Sequence, residues 1–344
     1  MMPASRIVRL SAALAIVSMA ASCSGGTSSD EPTAVRVGFF ANVTHSPALI
    51  GVAEGYFVEE LGDGARLETA TFNAGPEAIE ALFAGAIDIT YIGPNPAVNG
   101  WAQSNGEALR IIAGTTSGGA ALVVQPSILT PQDLVGKTLA TPQLGNTQDV
   151  ALRAWLAEQG FSFDETGGGD VSVVPQANAQ TLQTFRSDQI DGAWVPEPWA
   201  TRLVQEGGGH VLVDERDLWP NGQFVTTHVI VRAEFLEQYP DLVEAFLRAH
   251  VRAVDFANDH PAEAQADVAD QILAITGQEL AADVIAAAWG NMTFTVDPIA
   301  DSLVQSARDA EAVGLLEPVD LTGIYALETL NGVLAAMGRE PVFG

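Results

Sequence analysis

Two stretches of this chain, about a hundred residues apart, carry the same punctuation. That repetition constrains the fold more than any other feature. "NAGPEAIEALFAGAIDITYIGPNP" (73–96) lines up with "NAQTLQTFRSDQIDGAWVPEPW" (178–199). Each holds Asn-Ala, a helical segment, Ile-Asp, a strand-like run and Pro-x-Pro. Upstream of each, "ALIGVAEGYF" (48–57) matches "ALRAWLAEQGF" (151–161). A unit this long is not a solenoid repeat; it describes two similar lobes. In the first copy, β-branched runs ("AVRVGFF", "ARLETATF", "ITYIG") alternate with helical ones ("HSPALIGVAEGYF", "GPEAIEALFAGAID", "PNPAVNGWAQ"). That alternation predicts parallel sheets covered by helices on both faces. Ser46 with Pro47, and Asn95 with Pro96, read as helix caps followed by a first-turn proline, and Gly55 as a stop.

The expected architecture is α/β: two Rossmann-like lobes joined by a two-strand hinge, with a helical C-terminal region. Residues 34–124 and 226–344 form lobe I and residues 125–225 form lobe II. The chain crosses at about 121–126 and 225–231. The tail reads as helices through "DLVEAFLRAHVRAVDFAND", "PAEAQADVADQIL", "AADVIAAAWGN" and a final pair ending near Met337. His250 and His260 in that tail read as surface residues.

The N-terminus has its own pattern. Arg6 and Arg9 precede the apolar run "LSAALAIVSMAA", which is too short to span a bilayer but suits a signal-peptide core. Cys23, the only cysteine, follows it and excludes an intrachain disulfide. It stands where a bacterial lipoprotein carries its lipidated cysteine, although Ala20 and Ser22 replace the usual Leu and Gly or Ala. The alternative is a secretory signal cleaved nearby, with Cys23 incidental. We expect residues 1–22 as signal peptide and 23–33 as a flexible tether, giving an exported body anchored to the outer face of the membrane, in the periplasm if the cell has one. Removing residues 1–22 takes away two arginines and no acids, so the charge goes from −28 to −30. With 15 Lys+Arg against 43 Asp+Glu there is no basic face for nucleic acid.

No catalytic or metal constellation is evident. HExxH, CxxC and GxSxG are absent, and "LVGKT" lacks the glycine and the preceding strand of a phosphate loop. No histidine pair has metal-ligand spacing. Asp88 and Asp191 are repeat equivalents and read as structural rather than as paired catalytic acids. We expect neither enzyme activity nor a cofactor or metal.

What remains is a set of polar loops, each at a strand's carboxyl end and each leading into a helix, where open α/β sheets bind ligands. They are 42–46, 73–75, 93–95, 115–119, 144–148 and 194–199. Helix starts attract anions through unpaired N–H groups and the helix dipole. Each loop also has a plainer reading. Asn146 with Asp149 resembles a capping box, and Asp149 would compete with an anion. Thr116-Ser117 could be turn residues. Trp194 could be core, or an aromatic wall for an apolar tail. Glu197 is awkward beside an anion, and faces either a hinge arginine or a cationic end of the ligand.

Taken together, the segment ending at Cys23, "NVTHSPALIGVAEGYF", "FNAGPEAIEALFAGAIDITYIGPNP", "TPQLGNTQDVALRAWL" and "DGAWVPEPWATRLV" resemble the substrate-binding lipoproteins of ABC importers, in the aliphatic sulfonate, taurine and nitrate branch. The resemblance covers nearly the whole mature chain. It implies a type II periplasmic-binding-protein fold whose interlobe cleft closes about a hinge. It also implies a monomer that holds a small organic anion and passes it to a permease and its ATPase. An aliphatic sulfonate, for sulfur uptake, is the leading ligand. Nitrate, taurine, a sulfate ester and a thiamin-precursor pyrimidine are alternatives. A ligand-sensing lipoprotein without a permease, or an enzyme on the same fold, are the other readings. Carried over by motif, Thr44, His45, Asn95, Thr116, Ser117, Gly145, Asn146, Thr147 and Gln148 face the anion, and Trp194, Glu197 and Thr227 line the opposite wall. The acidic body would repel an anion at long range, so binding would rest on local donors in a partly dry cleft.

Overall fold

The computed structural model describes residues 33–163 and 168–344. The expected signal peptide, Cys23 and the expected tether up to residue 32 lie outside the described residues. The chain opens with β1 (Thr33–Phe39), a 3-10 turn at Val43–His45, α1 (Ser46–Ala53) and α2 (Tyr56–Leu61). It continues with β2 (Ala65–Thr71), α3 (Gly75–Phe83), β3 (Ile89–Ile92), α4 (Pro94–Gln103) and β4 (Leu109–Gly118). A second run follows: β5 (Ala120–Val124), β6 (Thr138–Thr141), α5 (Thr147–Glu158), β7 (Ser172–Pro175), α6 (Asn178–Arg186), β8 (Gly192–Pro196), α7 (Trp199–Gln205) and β9 (His210–Asp214). Two 3-10 turns at 215–222 lead to β10 (Val225–Arg232). The tail comprises α8 (Ala233–Gln238), α9 (Pro240–Asp259), α10 (Pro261–Thr276), α11 (Ala282–Trp289), β11 (Met292–Phe294), α12 (Ala300–Ala312) and α13 (Glu328–Ala336).

Two sheets result, ordered β11-β4-β10-β3-β1-β2 and β7-β6-β8-β5-β9. Each contains the same parallel triplet: β2-β1-β3 in the first, β7-β6-β8 in the second. In each, an antiparallel strand then joins the third member, β10 beside β3 and β5 beside β8. The sequence repeat is therefore a repeat of topology, and the α/β expectation holds. The equivalence extends to Asp88 and Asp191. Asp88 Oδ2 accepts the Arg36 backbone N–H at 3.1 Å, and Asp191 Oδ2 accepts that of Thr138 at 2.9 Å. Each carboxylate thus clamps a backbone N–H of the central strand of its own triplet, mid-strand in β1 and at the first residue of β6.

Parallel strands covered on both faces read as continuous apolar runs, and all four residues of β3 are buried. Distinct apolar clusters pack the two faces of each sheet. The largest holds β1 and α9, where Phe57 stacks on Phe246 with ring centroids 5.0 Å apart. His250, expected on the surface, lies in this packing. It is fully buried, bonded to the Tyr91 hydroxyl at 2.9 Å and to the Gly114 carbonyl at 2.9 Å. Its polarity misled the sequence reading, because two buried partners satisfy both ring nitrogens.

Three expectations about boundaries change. β5 pairs with β8 and β9 in the second sheet, so residues 120–124 do not belong with the first. The crossings fall at Gly118–Gly119, both with positive φ (79° and 76°), and within 215–224. A Cβ at Gly118 would sit 2.9 Å from the Asn291 carbonyl oxygen, so the crossing needs glycine for both its conformation and its close approach. The caps also shift by a residue or two. α1 begins at Ser46, whose hydroxyl donates to the Val43 carbonyl, and α4 begins at Pro94 with Gly93 as its cap, which puts Asn95 inside the helix.

Candidate functional site

Helix starts from both sheets meet around one small cavity of about 20 Å³. Thr44 and His45, in the turn before α1, contribute one wall together with Asn73 just ahead of α3. Gly93, the cap of α4, adds its backbone. From the second sheet come Asn146, Thr147 and Gln148 at the start of α5, and Asn178 at the start of α6. Phe40, Asn42, Pro142, Pro196, Thr226 and Thr227 complete the lining. Among the described residues that line it there is no Asp, Glu, Lys or Arg. The space is therefore surrounded by neutral donors and by the positive ends of several helix dipoles, an environment suited to a small anion.

Six of the twelve expected ligand residues meet here: Thr44, His45, Asn146, Thr147, Gln148 and Thr227. Two buried side-chain atoms of the lining have no hydrogen-bond partner, Thr147 Oγ1 and Asn178 Oδ1. Each unpaired polar atom costs about 1–3 kcal/mol, a cost that a hydrogen-bonding ligand would offset. His45 adds a donor without a charge. The Phe40 backbone N–H donates to its Nδ1 at 3.3 Å, which leaves the ring proton on Nε2. Its ring stacks on Phe40 with centroids 4.3 Å apart, and burial pulls its pKa down to about 3. Asn146 caps α5 through a bond from the Thr147 backbone N–H. Asp149 does not oppose an anion, because its carboxylate is already engaged by the Thr141 hydroxyl (2.8 Å), the Gly145 N–H (3.0 Å) and Arg153 Nε (3.0 Å).

The other six expected residues do not line the cavity. Thr116 acts from behind it: its hydroxyl donates to the Thr44 carbonyl at 2.7 Å, joined there by the Thr227 hydroxyl at 3.1 Å. Ser117 Oγ accepts from the Phe224 N–H. Gly145, with φ of 71°, shapes the turn and gives its N–H to Asp149. Trp194 is fully buried in the core of the second sheet, where its Nε1 donates to Glu215 Oε2 at 2.7 Å, so it is no wall for a ligand tail. Glu197 does not line this cavity and has no salt bridge among the described residues, although its charge acts on Arg216 in the return crossing; it accepts from the Thr201 N–H and hydroxyl and from Asn291 Nδ2 at 2.7 Å. Asn95 Nδ2 donates to the Ser306 carbonyl at 3.0 Å. Asn95 and Glu197 are the middle residues of the two Pro-x-Pro motifs, and both tie their lobe to the C-terminal region.

Sequence reasoning missed Phe40, Pro142, Asn178 and Thr226. For Asn178 the signal was present, since the repeat pairs it with Asn73. The repeat in fact supplies three pairs of lining residues, one from each sheet: Thr44 with Thr147, His45 with Gln148, and Asn73 with Asn178. Across the cleft, Trp199 Nε1 donates to Asn42 Oδ1 at 3.0 Å, and Asn99 Nδ2 approaches the Gly145 carbonyl at 3.5 Å.

The chain is similar to several known proteins. The chain is 28% identical to the taurine-binding periplasmic protein of Escherichia coli K12 over 220 residues, 64% of this chain and 66% of that protein. Its fold matches the nitrate-binding protein NrtA from Synechocystis PCC 6803 with a TM-score of 0.74 at 17% identity, covering 89% of each chain. It also matches the alkanesulfonate-binding protein SsuA from Xanthomonas axonopodis pv. citri, with a TM-score of 0.70 at 19% identity, covering 86% of this chain and 99% of that one. The model of the NMT1-like family matches residues 28–274, and the chain belongs to that family.

Proposed function

We propose that this chain is the extracytoplasmic substrate-binding component of an ABC importer, that it holds a small organic oxyanion between its two sheets, and that the ligand class is the aliphatic sulfonates. The observation that carries the reading is the convergence of helix starts and neutral donors on one uncharged cavity, with two buried polar atoms left unpaired. The relatives named for taurine, alkanesulfonate and nitrate point the same way. A neutral donor set suits anions of strong acids, which stay ionised and need no proton donor. Sulfonate is preferred to nitrate because Thr147 also lines a neighbouring space of about 740 Å³, which gives a tail somewhere to go. The lobes close about the crossings at Gly118–Gly119 and 215–224, and the bond between Trp199 and Asn42 belongs to the closed form. Export and lipidation at Cys23 remain part of the reading, with a permease and its ATPase as partners.

The test is calorimetry on the body from about Asp30, against alkanesulfonates of several lengths, taurine, nitrate, sulfate and pyrimidine precursors. Binding of sulfonates that strengthens with chain length supports the reading. Binding of nitrate or a pyrimidine alone would replace the ligand class, and a chain that binds none of these anions is not an oxyanion carrier.

A further inference from the structure

Thr147 separates the small cavity from the space of about 740 Å³ behind it, which runs along α5. The α5 residues on its wall are Thr147, Val150, Ala151, Ala154, Trp155 and Glu158, one face of the helix over nearly its whole length, about 16 Å. α12 forms the opposite wall, and the return crossing supplies Glu215 and Trp219. The chemistry here is the reverse of the anion cavity. Glu158, Glu215, Asp301 and Asp309 line it against a single cationic side chain, Arg308.

Glu215 is the informative group. It is 2% exposed, and its carboxylate is held by neutral indole N–H groups, Trp194 Nε1 at 2.7 Å and Trp219. Among the described residues no Lys, Arg or His pairs with it. A buried carboxylate without a counter-charge is under-compensated, and burial pushes its pKa up to about 7. Trp155 and Trp219 lie on the same lining, aromatic neighbours of the kind that favour a cation. A bare metal ion does not fit, since no group of three or more His, Cys, Asp or Glu among the described residues is placed to hold one. The space suits an ammonium or another organic cation. The unpartnered hydroxyl of Thr147 stands at the partition between this acidic compartment and the neutral one.

We propose that the compartment between α5 and α12 receives a cationic group of the ligand, with Glu215 as its counter-ion, so that the substrate is a zwitterionic oxyanion with a long spacer between its charges. This rests on the oxyanion reading above. The spacer length follows from the packing. Glu215 is bonded to Trp194, whose ring lies 6.0 Å from that of Trp155, and Trp155 is eight residues beyond Thr147 along α5. Eight residues of helix rise about 12 Å, so the far end of the compartment, at Trp155 and Glu158, lies further along α5 from Thr147 than a two-carbon spacer reaches.

The experiment compares 6-aminohexanesulfonate with hexanesulfonate, and taurine with ethanesulfonate, by calorimetry on the wild-type protein and on Glu215→Gln. A charge-assisted contact predicts that the six-carbon amine binds at least about tenfold tighter than its plain counterpart, that the two-carbon pair shows no such ratio, and that Glu215→Gln abolishes the six-carbon ratio. Equal binding of the two six-carbon probes to the wild-type protein overturns the inference and leaves the oxyanion reading intact. A ratio that survives Glu215→Gln, or that is as large for taurine, also overturns it. Failure of every sulfonate to bind overturns both.

Discussion

Gly93→Ala tests the site with one methyl group. The backbone there (φ −71°, ψ 160°) accepts alanine without strain, so the effect is confined to space. A Cβ at this position would lie 2.3 Å from Thr147 Oγ1 and 3.4 Å from Thr147 Cβ, on the wall of a cavity of about 20 Å³. The contact at 2.3 Å forces the Thr147 hydroxyl to turn away, while the Thr226 carbonyl at 3.7 Å is undisturbed. Loss of one hydrogen bond to an anion costs about 1.5–3 kcal/mol, an affinity loss of about tenfold to 150-fold. Stability changes less. Overpacking costs about 1–3 kcal/mol, offset by about 0.4–1 kcal/mol from the stiffer unfolded chain. Calorimetry with the best-binding sulfonate, beside urea unfolding, separates the two effects. Thr147→Val removes the same hydroxyl, so the affinity losses of the two changes should fall short of adding in the double variant. Wild-type affinity in Gly93→Ala, or losses that add in the double variant, would show that the ligand does not use the wall between Gly93 and Thr147.

Trp199→Phe keeps an aromatic ring but removes the indole donor to Asn42, and should weaken ligand binding by about 0.5–1.5 kcal/mol; unchanged affinity would mean the bond does not favour the closed form. Thr116→Val with Thr227→Val strips both side-chain donors from the Thr44 carbonyl and should cost about 1–3 kcal/mol in urea unfolding, whereas a pair no worse than either single change would dismiss that support. Stability should also fall in acid. His45, His228 and His250 are buried with pKa values of about 3, 4 and 4, below 6.5, so the unfolded chain binds more protons. Their stabilising contribution, roughly 3 kcal/mol each, is present above pH 6.5 and is lost as pH falls toward 4. Glu215, raised from 4.5 to about 7, acts in the opposite sense: its burial costs nothing below pH 4.5 and up to about 3 kcal/mol above pH 7. The three histidine shifts are each as large as that of Glu215, so the urea midpoint should drop between pH 7 and pH 4.5, and drop more steeply in Glu215→Gln. A midpoint at pH 5 equal to that at pH 7 would contradict these burial effects.

The lobes were legible because a repeat survives as pattern: Asn-Ala, Ile-Asp and Pro-x-Pro mark equivalent turns, and Asp88 and Asp191 perform the same backbone clamp. The helix-start loops were legible too, since Gly145-Asn146-Thr147-Gln148 offers more polarity than a cap requires. Asn146 supplies the cap, and Thr147 and Gln148 are left for the cavity. What could not be read was which side of a turn faces the cavity. Asn95 and Glu197 sit in the right loops but point to Ser306 and Asn291, partners more than ninety residues away in sequence. Trp194 alternates with its neighbours along a strand, and only the sheet's pairing decides that its ring enters the core. His250 was misplaced for the same reason, its partners Tyr91 and Gly114 lying more than a hundred residues upstream.

The three pairs of repeat equivalents around the cavity give it the character of a two-fold interface folded into one chain. In a symmetric dimer an isologous contact presents the same groups twice, and a ligand on the axis meets both sets equally. A compact anion headgroup, with several equivalent oxygens, tolerates such a doubled set. Any substituent on that headgroup breaks the symmetry and must choose a side. Here the copies have diverged: His45 in one corresponds to Gln148 in the other, and Thr147 also borders the larger space along α5. On the proposed oxyanion reading, duplication accounts for the head-binding half of the site, and the residues at which the two copies no longer agree are the ones that would orient the ligand.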